Sequence, residues 1–285
     1  MSKLHYSELF YSIQGEGRYT GVPSVFLRTF GCNFRCRNFG RDPVDQTPNY
    51  EVQEIIKNID LYKTFKDLPL VKTGCDSYSS IYPEFKKFVV RADSDSIAES
   101  IANMLPYKEW RDEHLVITGG EPLLGWQRSY PDLLDHPKMR YLKELTFETN
   151  GTQPLEPKFR DYLVDWGIEH RGYNAVTFSV SAKLSCSGET RTDAIKPEVV
   201  VGYESVGYTY LKFVVATDED VGEALETIDV YRYHGFRGPA YLMPVGGVES
   251  VYALNNRKVA ELAMQNGLRY SDRLQIPLFK NAWGT

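Results

Sequence analysis

The chain has 285 residues, enough for one large domain or two small ones around a sizeable core. Hydrophobic residues make up 42% and charged residues 25%, which separates it from disordered sequences. Lys plus Arg number 33 against 38 Asp plus Glu, and a net charge of −5 argues against nucleic-acid binding by bulk counterion release, so no direct nucleic-acid partner is expected.

The opening Met1-Ser2-Lys3-Leu4-His5 has no apolar signal core, and no long apolar run that would cross a membrane follows it. The expected compartment is the cytoplasm, or a host's cytoplasm if the source is viral. Val22 to Phe30 reads as a first strand, rich in β-branched and aromatic residues. Residues 37–74 then break the rhythm with Pro43, Pro48, Pro69 and a short helix at Val52–Leu61; they read as an insertion on the active face. Ser94 to Leu105 carries Ile97, Ala98, Ile101, Met104 and Leu105 at helical spacing, capped by Asp93 or Ser94. His114–Thr118 is a short strand ending in Gly119-Gly120. Leu142–Glu148 is another, followed by a helix over Pro157–Trp166. Further strands are expected at Val176–Ser181, Leu211–Val215 and Tyr241–Met243, with helices at Asp218–Tyr233 and Asn255–Asn266.

About six βα units in a single domain spanning 1–285 suit an α/β fold, a full or partial barrel with a mainly parallel sheet. Chemistry in such folds collects at the carboxyl ends of the strands. Polar residues fall there: Cys32 after the first strand, Gly119-Gly120-Glu121 after the second, Glu148 and Asn150 after the third.

Four cysteines are too few for a disulfide scaffold, and a reducing compartment keeps them as thiols. Cys32 and Cys36 stand four apart beside a strand end, a spacing that points to metal or cluster ligation. Gly31-Cys32-Asn33-Phe34-Arg35-Cys36 resembles the start of the radical S-adenosylmethionine signature C-x3-C-x2-C. In that signature three thiolates hold a [4Fe–4S] cube whose fourth iron chelates the cofactor. Phe39 stands where the third cysteine is expected. The next cysteine, in Cys75-Asp76-Ser77, matches the Cys-Asp-Thr of family members that make deazapurines, with 38 residues between Cys36 and Cys75. A long loop costs closure entropy that grows only slowly with its length. The competing readings are a lost cluster with Cys75 an ordinary buried thiol, and a zinc site, which lacks a fourth ligand at ribbon-like spacing. Cys186 reads as packing.

Glu8-Leu9-Phe10-Tyr11-Ser12-Ile13-Gln14-Gly15-Glu16-Gly17 resembles the opening of the 7-carboxy-7-deazaguanine synthases. The segments Thr118–Pro122, Glu148–Thr152, Ser181-Ala182-Lys183 and Tyr241–Gly247 follow in that family's order. The resemblance implies a radical S-adenosylmethionine lyase with a partial (βα)6-type barrel. Its reaction contracts 6-carboxy-5,6,7,8-tetrahydropterin to 7-carboxy-7-deazaguanine with loss of ammonia. Product use in tRNA queuosine or in modified DNA stays open.

By the same resemblance Cys32, Cys36 and Cys75 hold the [4Fe–4S] cluster. Gln14 and Glu16 meet the amide and amino edge of the pterin, Arg28 its carboxylate, and Thr118 and the terminal Thr285 also reach substrate. Loop charge is the alternative for Glu16, and a structural ion pair the alternative for Arg28. Gly119 and Gly120 give backbone room for S-adenosylmethionine, with Glu121 in support. Glu148 and Asn150 suit ribose hydroxyls, and Ser181 and Lys183 match the family's Ser-Pro-Lys. Phe39 or Tyr78 stands in for the aromatic against adenine, since Gly74 precedes Cys75. Ser77 corresponds to the hydroxyl that holds Mg2+. Phe279 replaces an expected histidine. A flavodoxin-like or other low-potential electron donor and a homodimer complete the picture. Outside this reading lie a degenerate barrel that binds a protein through its insertion, and a glycyl-radical activase.

Overall fold

The structure, a computed structural model, describes residues 3–41, 50–170 and 172–285. Pro43 and Pro48 of the expected insertion lie outside the described residues. Among the described residues nine strands form one sheet: β1 (Leu4–Ile13), β2 (Pro23–Thr29), β3 (Val90–Ala92), β4 (His114–Gly119), β5 (Leu145–Thr149), β6 (Val176–Val180), β7 (Tyr208–Val215), β8 (Ala240–Pro244) and β9 (Arg269–Tyr270). Their order across the sheet is β3-β1-β2-β4-β5-β6-β7-β8-β9. From β2 through β9 every neighbouring pair is parallel, while β1 runs antiparallel to both β2 and β3. The fold is α/β and the barrel is partial.

Helices α1 (Tyr50–Lys57), α2 (Ser94–Met104), α3 (Tyr130–Leu134), α4 (Pro157–His170), α5 (Arg191–Ala194), α6 (Pro197–Glu204), α7 (Asp218–Tyr233), α8 (Glu249–Gln265) and α9 (Gln275–Phe279) fill the connections. Asp93 caps α2, accepting from the Ser96 amide at 2.9 Å. Thr217 and Asp220 form a reciprocal capping box on α7, which fixes its start where the sequence places it. The α8 helix begins earlier than Asn255, because Glu249–Leu254 continues its turn and buries Tyr252. Strand β5 starts at Leu145, since Leu142 closes the preceding turn on Met139.

The antiparallel β1 was not expected, and its direction has a consequence for the site. It carries Gln14 to the amino-terminal end of the parallel strands. There the connection to β2 forms a plug: Tyr19 stacks 4.2 Å from His114 at the start of β4, and Arg18 lies 4.2 Å above Tyr208 at the start of β7. The plug also bridges the open side of the barrel, where the Leu274 amide donates to Gly15 O at 3.0 Å and the Gly17 amide to Ser271 Oγ at 2.9 Å.

The main core lies between sheet and helices and includes Leu27, Ile117, Phe147, Phe178 and Phe213. A second, smaller core belongs to the insertion: Val52, Ile55, Leu68 and Val71 pack with Tyr78, Tyr82 and Phe85. Trp283 near the carboxyl end closes it, donating from Nε1 to Leu68 O at 2.6 Å and meeting Phe65 edge-on at 4.7 Å. The two ends of the insertion meet as well, with the Gly74 amide donating to Phe39 O at 2.7 Å. The long loop leaves and returns at one point, which places Cys75 next to Phe39.

Candidate active site

A cavity of about 250 Å³ opens between the carboxyl ends of the strands and the insertion. Cys32, Cys36 and Cys75 all line it, and all three join one apolar patch with Phe34, Phe39, Ala194 and Ile195. The segment holding the first two is pinned from across the barrel: the Glu189 carboxylate accepts from the amides of Arg35 at 2.8 Å and Cys36 at 2.7 Å. Cys36 itself sits at φ 45°, a left-handed conformation rare for residues other than glycine. The patch has a donor set suited to an iron–sulfur cube. Among the described residues no three His, Cys, Asp or Glu side chains converge on one ion. A cube asks for something else, because each thiolate takes a different iron and the sulfurs surround a space. Burial pushes the Cys32 thiol up to about 11 and the Cys75 thiol up to about 12, and it raises Cys36 well above the ordinary thiol range. Ligation therefore has to release protons.

The glycine pair after β4 is crowded by its own fold. Gly119 has φ +149°, and a Cβ there would lie 2.3 Å from Thr29 O. A Cβ on Gly120 would lie 2.3 Å from Gly31 O and 2.7 Å from Cys32 Cβ. These glycines let the end of β4 close onto the cysteine loop. Glu121 does not reach the cavity. Its buried carboxylate accepts from the Leu123 amide at 3.0 Å, Thr149 Oγ1 at 2.8 Å and the Asn150 amide at 2.7 Å, tying the ends of β4 and β5 together. Burial raises its pKa above the ordinary carboxylate value.

Asn150 lines the cavity while its side chain bonds Asn33 at 2.9 Å and accepts from Thr152. Lys183 Nζ donates to Ser181 Oγ at 2.8 Å and lies 6.0 Å from the centre of the Phe39 ring. Phe39, Ser181 and Lys183 thus stand together on one wall. Tyr78, the other aromatic considered for adenine, is withdrawn. It is fully buried in the insertion's core, with its hydroxyl on Pro69 O at 2.7 Å and its ring against Phe85 and Trp283. Cys186 packs on the main core, as read. Thr118 and Thr285 line the cavity, and Phe279 is exposed outside its lining.

Charged groups line the rest. Glu8 and Arg28 face each other across β1 and β2, with Nε donating to Glu8 Oε2 at 2.8 Å. Arg28 Nη1 donates to Ser77 Oγ at 2.9 Å, and that hydroxyl lies 3.3 Å from Asp76 Oδ1. A magnesium ion on Ser77 would have to share its oxygen with a guanidinium, so the residues present do not fit the ion at that atom. Asp76 pairs in turn with Arg273, which outweighs the effect of burial and keeps the Asp76 carboxyl below its ordinary range. Arg273 reaches Glu16 at 3.3 Å, and Lys212 reaches Glu16 at 2.6 Å and Glu148 at 2.9 Å. Gln14 Nε2 donates to Glu148 Oε1 at 3.3 Å.

Gln14 and Glu16 thus enter the cavity from the plug at the amino-terminal end, opposite to the cysteines. Glu8, Asp76, Glu189, Lys212 and Arg273 were missed as site residues. A lone lysine inside the apolar run Tyr208–Val215 was the one readable signal among them.

No family model matches the chain. Curated relatives do. The 7-carboxy-7-deazaguanine synthase of Halobacterium salinarum is 30% identical over 285 residues, covering 97% of this chain and 90% of the relative. That of Pyrobaculum aerophilum is 27% identical over 277 residues, covering 97% and 95%. Among solved structures, QueE from Escherichia coli matches with a TM-score of 0.53 at 20% identity over 94% of this chain and 93% of that one, a likeness of fold.

Proposed function

The chain belongs to the 7-carboxy-7-deazaguanine synthase family, and on that basis we propose that its cavity takes 6-carboxy-5,6,7,8-tetrahydropterin together with S-adenosylmethionine. The enzyme is a radical S-adenosylmethionine lyase that contracts the pterin to 7-carboxy-7-deazaguanine and releases ammonia. The observation that carries the site assignment is the return of Cys75 to the cavity wall shared by Cys32 and Cys36.

Cys32, Cys36 and Cys75 would hold the cluster, which with S-adenosylmethionine supplies one-electron hydrogen abstraction. Every other contribution comes from the chain. Phe39 offers a face to adenine beside Ser181 and Lys183, while Glu148 offers acceptors to the ribose and Asn150, whose Oδ1 is filled by Thr152, its remaining Nδ2–H. Glu16 is acceptor-only when ionised and suits the N–H edge of a pterin, with Gln14 alongside. The Arg28 contacts with Glu8 and Ser77 use Nε and Nη1. Three of its five N–H groups, on Nη1 and Nη2, remain to meet the substrate carboxylate in a forked pair. Arg28 also occupies the oxygen where the family's magnesium would bind, making it the chain's own cation at that point. Thr118 and Thr285 complete the substrate wall. The insertion, closed by Trp283, shields the cavity from water.

A flavodoxin-like low-potential donor, a homodimer and a reducing, cytoplasmic setting belong to this reading on the strength of the family. No helix of the described residues is long and apolar enough to cross a membrane. Neither the degenerate binding module nor the glycyl-radical activase is favoured. The test is anaerobic reconstitution with iron and sulfide, then incubation with the tetrahydropterin, S-adenosylmethionine and a reductant. Mass analysis should find the ring-contracted product and one ammonia for each. A fully loaded protein that cleaves S-adenosylmethionine without forming that product would refute the assignment.

A further inference from the structure

Lys212 has no part in the reading above, yet it is the most deeply buried charge in the cavity wall. It sits in the middle of β7 at 2% exposure with apolar residues on both sides. Desolvating an ammonium there is costly unless it is fully paired. Two of its three N–H groups are paired, one to each of two carboxylates: Nζ donates to Glu16 Oε2 at 2.6 Å and to Glu148 Oε2 at 2.9 Å. The other oxygen of Glu16 is held separately, by Arg273 Nε at 3.3 Å and Gln275 Nε2 at 3.1 Å. A carboxylate offers about four lone-pair positions, so these three contacts leave one on Oε2. Glu148 keeps two, since Lys212 and Gln14 take one on each oxygen.

We propose that Lys212 is a positioning residue that aims the Glu16 carboxylate at the N–H edge of the pterin and joins it to Glu148 on the S-adenosylmethionine side. The inference rests on the reading of Glu16 as the pterin acceptor. The charge at Glu16 supports it. Burial pushes that carboxyl up, but the facing Lys212 and Arg273 outweigh burial and hold it at about 2. The titratable groups around this pair are Glu148 and Tyr210 on the strands, Arg273 after β9, and Asp76 after the insertion. With Lys212 gone, only Arg273 and Gln275 are left to offset burial, so Glu16 shifts toward protonation, and a protonated Glu16 presents a donor to a donor edge.

The probe is oxidised 6-carboxypterin, whose fluorescence reports binding without cluster or turnover. The wild-type affinity should show no Glu16 titration from about pH 7.5 down to about pH 4, still above a carboxyl held near 2. Lys212→Met should bind roughly tenfold more weakly at neutral pH, the loss of one charge-assisted contact, and weaken further as pH falls. Lys212→Arg should recover most of the affinity and the flat profile, which a merely structural role would not predict. Should Lys212→Met not fold, the double variant Lys212→Met/Glu148→Gln removes the stranded second carboxylate and asks the same question.

Wild-type affinity and pH profile retained in Lys212→Met, or in the double variant, would overturn the inference while leaving the proposed function intact. An acid limb near the ordinary glutamate value in the wild type would overturn it too. Absence of pterin binding by the wild type would instead defeat the pterin reading of Glu16, and the inference with it.

Discussion

Gly120→Ala separates a backbone that makes room for the cofactor from one that makes room for the cysteine loop. The added methyl would lie 2.3 Å from Gly31 O and 2.7 Å from Cys32 Cβ, where ordinary contact begins at 3.4 Å. One segment has to retreat by about 1 Å. Neither is free to do so, because the Glu121 amide donates to Gly31 O at 2.8 Å, the Gly120 amide to Thr29 O at 3.3 Å, and the Gly31 amide to Ser80 O at 2.8 Å. Overpacking costs about 1–3 kcal/mol, and losing one of these bonds adds about 1 kcal/mol. The expected loss is therefore about 2–4 kcal/mol, unless the strain is relieved by moving Cys32 out of the cluster geometry. Urea unfolding of the metal-free protein reads the first outcome, and iron and sulfide content after anaerobic reconstitution reads the second. Gly202→Ala in α6 is the control: nothing lies within 4 Å of its added methyl, and a helical alanine should gain about 0.5–1 kcal/mol with full iron content. Wild-type stability together with wild-type iron content in Gly120→Ala would refute the reasoning.

Trp283→Ala should open the insertion's core, costing about 2 kcal/mol and speeding tryptic cleavage at Lys57, Lys63 and Lys66; unchanged cleavage rates by mass analysis would contradict the clamp. Phe39→Ala should weaken S-adenosylmethionine binding to the reconstituted enzyme about fivefold, the order of one lost ring contact, measured by equilibrium dialysis. Tyr78→Phe should leave that binding alone and lower stability by about 1 kcal/mol through its lost bond to Pro69 O. His114 supplies a pH dependence, since burial and then Arg18 lower its pKa from 6.5 to about 3. The unfolded chain binds the extra proton, so this stability is complete above about pH 6.5 and falls as pH drops toward 3. Urea midpoints should show a loss of about 2 kcal/mol between pH 6.5 and about pH 5, absent in His114→Gln.

What the sequence disclosed was local. The Cys32–Cys36 spacing, the glycine pair, the α7 boundaries and the strand ends all follow from neighbours within a few positions. The Cys75 return was readable through resemblance alone, because the segment that brings it back has its own core and is closed by Trp283 from the far end of the chain. The antiparallel β1 hid behind its motif. The polar run Gln14–Gly17 reads as a turn, and nothing nearby reveals that it plugs the amino-terminal end of the barrel.

The charged half of the site shows why such features escape a linear reading. Lys212 and Glu16 are 196 positions apart, Arg273 and Asp76 are 197 apart, and Arg273 and Glu16 are 257 apart. Pairs at that separation leave no periodicity, and apart from Lys212 each partner alone resembles an ordinary surface charge. Burial is what distinguishes them. An ammonium inside Tyr208–Val215 has no partner on its own strand, and facing the cavity at 2% exposure it meets almost no water. One counter-charge, Glu148, comes from β5, and the second, Glu16, comes from a distant segment that enters the barrel lumen. The plug, approaching from the end opposite to the cysteines, is such a segment. The same desolvation that makes Lys212 conspicuous in the sequence calls for the second carboxylate that Glu16 brings.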